Sequence, residues 1–131
     1  MVFSRKTPAA PAQEERPLLY LDQLLRTARP VLEKYGGGEY GEIIREVENA
    51  RKQKEWDDLW GAEHAADYAC QALHRIFWSA SRKLLTQKDY RIPEEEYQIL
   101  CAVYEELHAF RRNCQEALYR TRFTYDRRYH P

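Results

Sequence analysis

Between residues 59 and 84, apolar side chains return every three or four positions: Leu59, Ala62, Ala66, Ala69, Leu73, Ile76, Phe77, Ala80 and Leu84. That period is the signature of one face of an α-helix and not of a strand. The first half of the stripe is mostly alanine, and small residues let a second helix approach closely. A chain built around such a stripe must supply helices to cover it, and three further segments fit.

Residues 18–35 carry Leu18, Leu21, Leu25, Ala28 and Leu32 at helical spacing, with Leu24, Val31 and Tyr35 beside them. Pro30 lacks an amide and crowds the preceding turn, so a kink or a restart is expected there. Gly36, Gly37 and Gly38 then stop the helix. Residues 39–54 form a second helix on Tyr40, Ile43, Ile44 and Val47. Asp57 or Asp58 can cap the third helix, over about 57–86, unless a continuous rod runs through Trp56. Pro93 followed by Glu94, Glu95 and Glu96 is the clearest helix start in the chain, because proline suits the first turn and acids suit the positive end of the helix dipole. This fourth helix, 94–119, is apolar on two sides, Tyr97, Leu100, Cys101, Tyr104 and Leu107 on one and Ile99, Val103, Phe110 and Ala117 on the other. Such a helix is central in its bundle or shared with a partner.

Residues 1–17 hold prolines at 8, 11 and 17 and read as an extended N-terminal arm. In the tail, 120–131, aromatic residues sit at odd positions among arginines, a spacing nearer two than 3.6 that suits an extended segment. The fold class is therefore all-α: a compact bundle of about four helices, residues 18–119, with an extended N-terminal arm and a C-terminal tail. The expected core includes Leu21, Leu25, Ile43, Val47, Leu73, Ile76, Phe77, Leu100, Tyr104 and Leu107. The three cysteines, Cys70, Cys101 and Cys114, are too few and too scattered for a disulfide framework and read as buried free thiols. No signal peptide and no run of about 18 apolar residues is present, so no transmembrane segment is expected.

Charge is more informative about partners. Lys and Arg number 21, Asp and Glu 21, a formal net charge of zero, which argues against a simple basic DNA-binding domain. The charge is in blocks, however. Residues 36–70 carry four basic against nine acidic side chains, and residues 71–91 carry five against one, Asp89. A molecule with one basic and one acidic face can hold a polyanion on one side and its own copies on the other. Arg outnumbers Lys fifteen to six and Asn occurs twice, which fits either heat adaptation or a GC-rich genome.

Neither a metal centre nor a catalytic group emerges from local spacing. Glu105 and His108 make one E-x-x-H, where a di-metal bundle needs two plus further carboxylates. Cys101 and His108 lie seven apart, and His74 lies one turn from Cys70, but two groups complete neither a zinc site nor a catalytic triad. The Gly36–Gly38 run follows a helix and not a strand, so it is no phosphate cradle. The expectation is no enzyme, no cofactor, no metal and no small-molecule substrate.

The basic stripe on the third helix is the leading candidate site. Arg75, Ser79, Arg82 and Thr86 recur at three and four, with Lys83 adjacent, and such a row can track a phosphate backbone without reading bases. A solvated face is the plain alternative. Arm residues Arg5 and Lys6 and tail residues Arg120 and Arg122 are expected to add cations, and the tail's arginines and rings suit either nucleic acid or a neighbouring subunit.

In layout, the chain resembles the major coat proteins of filamentous viruses of hyperthermophilic archaea, especially the tristromavirus type. The resemblance rests on the arm SRKTPAAPAQEERP, the compact helices between 18 and 119, the Arg/Tyr tail YRTRFTYDRRYHP and the heat-adapted composition. It implies a helical nucleocapsid protein that pairs with a paralogous partner and wraps linear double-stranded DNA, held in A-form, inside a filament. It also implies a location in the virion after synthesis in the host cytoplasm. Two other classes remain open: a non-catalytic helical small subunit of a CRISPR effector complex, assembled in a fixed number of copies on guide RNA, and a helical adaptor that binds only protein.

Overall fold

The structure is a computed structural model that describes the backbone of residues 16–129 and the side chains of residues 20–121. Four helices follow in order: α1 (Arg16–Gly36), α2 (Glu39–Glu55), α3 (Leu59–Thr86) and α4 (Glu94–Tyr129). Among the described residues there is no strand. The all-α bundle expected from periodicity is what forms. Residues 1–15 of the arm lie outside the described residues, and its last two, Arg16 and Pro17, belong to α1 and not to an extended segment.

The helix α1 opens with Pro17 in its first turn, where the missing amide costs nothing. Its inner face, Leu21, Leu24, Leu25, Ala28, Leu32 and Tyr35, is buried. No restart occurs at Pro30: the helix runs unbroken to Gly36. Pro30 and Arg26 are both exposed, so the Arg26 carbonyl that loses its intrahelical partner can turn to water. The glycine stop has two separate causes. Gly37 takes a left-handed φ of 55°, and its amide donates to the Glu33 carbonyl at 3.0 Å. Gly36 lies so close to α3 that a Cβ there would overlap the Ile76 side chain.

Between α2 and α3 the chain breaks rather than running on as a rod. Asp57 adopts φ 61°, and the Asp58 carboxylate accepts the Gly61 amide at 2.9 Å as the N-cap of α3. This tight reversal lays α2 along the alanine face of α3. The α2–α3 pairing is the most extensive in the molecule. Ile43, Val47 and Ala50 are the buried residues of α2, and Ala62, Ala65, Ala66, Ala69 and Ala72 are buried on α3. Small side chains on one helix thus permit the close approach that the stripe implied.

The helices α1 and α3 each contact every other helix, whereas α2 and α4 flank them and approach through side chains, the Arg51 guanidinium lying 5.9 Å from the Phe110 ring centre. The core runs through all four helices, and its large members, Leu21, Leu25, Leu32, Ile43, Leu73, Ile76 and Leu107, are inaccessible to solvent. Each contributes on the order of 1.5–3 kcal/mol by burial. No polar or charged residue is buried among the described ones.

Two expectations need correction. Phe77 is only partly buried, and Tyr104 is 40% exposed, so neither belongs to the inner core. Both lie on the face of α3 or α4 that no other helix covers. The tail from 120 was expected to be extended, but α4 stays helical to Tyr129. No glycine or proline falls between Glu94 and Tyr129 to stop it. The Arg120 to Glu116 ion pair and the Thr121 hydroxyl on the Ala117 carbonyl both bridge one helical turn. Aromatic spacing alone is a weaker signal than the absence of a breaker.

Candidate functional site

Since α3 is amphipathic, its core face decides where its other side chains point. With Leu73, Ile76 and Ala80 turned inward, Arg75, Trp78, Arg82 and Leu85 are turned outward. Trp78 is 65% exposed and Leu85 83%. The outer face therefore interleaves two guanidiniums with an indole, and Trp78 is a member that the sequence reading did not single out. Its spacing was a usable signal, three residues after Arg75 and four before Arg82.

The expected cations differ in how free they are. The Nε of Arg75 donates to Glu39 Oε2 at 2.9 Å, so this guanidinium is shared with the start of α2. Lys83 is half-buried, its ammonium 5.6 Å from the Tyr35 ring centre and 5.9 Å from that of Tyr90. Arg82 is exposed and has no carboxylate partner among the described residues. Ser79 is half-buried beside the stripe, and the Thr86 hydroxyl is turned back onto the Arg82 carbonyl at 2.7 Å. Arg5 and Lys6 lie outside the described residues, as does the side chain of Arg122.

Arg120 does not join this group. Cross-helix partners fix α3 and α4 as antiparallel: Glu63 meets Gln115, Asp67 meets Arg111, and His74 meets His108. Extrapolated, that register places Arg82 level with the first turns of α4. Arg120, about twenty residues further along, is then roughly 30 Å away along the helix axis.

Lys83 belongs to a structural latch at the same end of the bundle. The Tyr35 hydroxyl donates to Glu96 Oε1 at 2.7 Å, and Lys34 Nζ reaches the same carboxylate at 3.0 Å. The Tyr35 hydrogen bond, aided by Lys34, holds the Glu96 carboxyl below the usual carboxylate range despite partial burial. Burial, with Tyr90 and Glu96 nearby, pushes the Tyr35 phenol upward. The latch ties the end of α1 to the start of α4.

Beside the stripe, α3 and α4 diverge into an apolar groove of about 750 Å³. Phe77 and Leu84 line it from α3, Ile92 from the loop, and Tyr97, Cys101 and Tyr104 from α4. This is the Tyr97, Leu100, Cys101 and Tyr104 side of α4, and no element of the described chain covers it. Of the three thiols, Cys70 and Cys114 are buried, while Cys101 is half-buried at the groove. Burial pushes the Cys70 thiol up to about 11.

Among the described residues, no group of three or more potential metal ligands converges. No helix among them is long and apolar enough to cross a membrane. No protein-family model, curated protein or solved structure matches this chain.

Proposed function

We propose that this chain is a non-enzymatic structural protein of a virion, one that coats linear double-stranded DNA through backbone contacts in a helical filament. The observation that carries this reading is the outer face of α3, where exposed Arg82 and half-exposed Arg75 flank exposed Trp78. A coat must hold any sequence, so its contacts go to phosphate oxygens and not to base edges. Arg82 is the principal phosphate contact. Arg75 is a second once Glu39 yields it, and arm and tail cations such as Arg5, Lys6, Arg120 and Arg122 extend the track along neighbours.

Zero net charge fits such an assembly when acidic and basic faces meet between subunits. The partners are then further copies and a paralogous coat protein, in a filamentous virus of a hyperthermophilic archaeon. The uncovered groove and the exposed Trp56 and Trp60 provide apolar surface for those contacts.

Electron microscopy of the purified protein, alone and with duplexes of unrelated sequence, tests the reading. Ordered filaments whose formation requires DNA of any sequence are the expected result. Absence of any DNA-dependent assembly would leave the protein-only adaptor. One observation favours that second reading: of the three cations on the stripe, Arg75 and Lys83 already have partners inside the fold.

A further inference from the structure

The uncovered groove between α3 and α4 has an answering segment in the chain's own sequence. Arg5, Pro8 and Pro11 stand at intervals of three in the run Arg5-Lys6-Thr7-Pro8-Ala9-Ala10-Pro11. We infer that the arm of one copy seats this run in the α3–α4 groove of a second copy. The inference deepens the subunit contacts of the proposed function by naming what fills the groove. It needs no DNA, so either reading can fail without the other.

A polyproline II helix turns once every three residues, so Arg5, Pro8 and Pro11 share one edge of it. Segments of this kind dock in aromatic-lined grooves. The groove offers that lining. Tyr104 stacks on Phe77 at 5.6 Å with 14° between ring planes, and Tyr97 and Tyr104 are 54% and 40% exposed. Proline fixes φ in advance, so binding has less chain to order. Charge and length agree as well. Glu94 and Glu105 line the groove about 16 Å apart along α4. Arg5 to Pro11 spans about 19 Å at 3.1 Å per residue. The run therefore fits along the groove with Arg5 at a carboxylate, whichever way it lies. Lys6, a third of a turn away from Arg5, stays available to phosphate.

The reach of the arm decides which copy supplies it. The helix α1 runs antiparallel to α4: Tyr35 meets Glu96, and Asp22 meets Arg51, whose guanidinium lies 5.9 Å from the Phe110 ring centre. Arg16 is therefore about level with Glu116 of α4, and Tyr104, the nearer ring of the groove, is about 18 Å away along the axis. Pro11 stands five residues before Arg16. Five fully extended residues reach about 18 Å at most. Nothing is left to carry the arm round the bundle to a groove that no α1 residue lines. A second copy has no such limit. An arm on one surface and a groove on another make a heterologous contact, which repeats until a ring closes or a filament grows.

The test uses the full chain without DNA. Ala9→Cys places a thiol near the middle of the run, and Cys101 lies near the middle of the groove, while Cys70 and Cys114 are buried. An equal mixture of isotope-labelled and unlabelled protein is treated with oxidised glutathione, and cross-linked peptides are read by mass spectrometry. Disulfides from the introduced thiol to Cys101 that join labelled to unlabelled chains are expected, and Cys101→Ala in the same background should abolish them. Such bonds only within one chain, only arm-to-arm bonds, or none would each overturn the inference. Sedimentation equilibrium adds a reversible readout. Arg5→Glu should weaken self-association several-fold, and Pro8→Gly with Pro11→Gly about tenfold. Glu94→Lys or Glu105→Lys added to Arg5→Glu should restore it, and the one that does so gives the direction of the arm. Rescue by neither, or a native chain monomeric at every concentration, would overturn the inference. Thermal melts check that each variant folds, and the native chain's sedimentation stands even if one does not.

Discussion

The two faces of α3 obey one helical period but answer to different demands. On the inner face, Ala62, Ala66, Ala69, Leu73, Ile76 and Ala80 are all buried, and folding accounts for each of them. Small residues admit α2, and large ones fill the space where the helices separate. On the outer face, Arg75, Trp78, Arg82 and Leu85 gain little from folding. An isolated apolar residue in water needs no account. Here, however, Trp78 and Leu85 share the outer face with two guanidiniums. The inner face is explained by the packing of this chain, whereas the outer face is not, and the proposed function assigns it to a partner.

That contrast can be broken most easily through stability. Leu73→Ala should cost about 2–5 kcal/mol, as other core leucine truncations do. Leu85→Ala, by contrast, should stay within about 0.5 kcal/mol. Urea denaturation of both variants compares them, and equal losses would erase the distinction. Overpacking should cost less. Ala69→Leu, inserted where α2 lies close, is expected to destabilise by about 1–3 kcal/mol and to leave the helix content unchanged.

The latch at the bundle end sharpens the comparison through pH. The Glu96 carboxyl titrates lower in the folded chain than in the unfolded one. Its contribution is therefore complete above the unfolded value, about 4.3. It is lost as pH falls through the lower, folded value. Melting temperatures of the native chain and of Glu96→Gln should differ most near neutral pH and converge below pH 4. A difference that grows with acid would contradict the hydrogen bond from Tyr35 as its source.

Local signals made much of this fold legible. The glycine stop, the Asp58 cap and the Pro93–Glu96 start each act within one turn, so sequence places them well. The inner face of α3 was equally readable, because burial there needs only periodicity. Tyr104 and Phe77 were misjudged because apolar spacing cannot say whether a neighbouring helix arrives to cover a face. Pro30 causes no restart, since an exposed position lets water satisfy the carbonyl that a proline strands. The pairing of His74 with His108 was out of reach. It depends on the antiparallel register of α3 and α4, set by the 87–93 loop and by contacts across thirty-four positions of chain. Likewise the capture of Arg75 by Glu39 joins residues thirty-six apart, so a stripe that looked uniformly free contains cations of unequal availability.

That inequality gives the most direct test of the central claim, that the outer face of α3 holds a nucleic-acid backbone. Arg75→Ala, Arg82→Ala and the double variant are titrated against unrelated DNA duplexes over a salt series, with folding checked by thermal melts. Arg82→Ala should weaken binding to every sequence alike and reduce the salt slope by about one unit. Arg75→Ala should do less, because Glu39 already holds that guanidinium, and the two effects should combine in the double variant. Melting temperature should scarcely move for Arg82→Ala. Unchanged affinity and slope in the double variant would contradict the claim and assign this face to protein partners or to solvent.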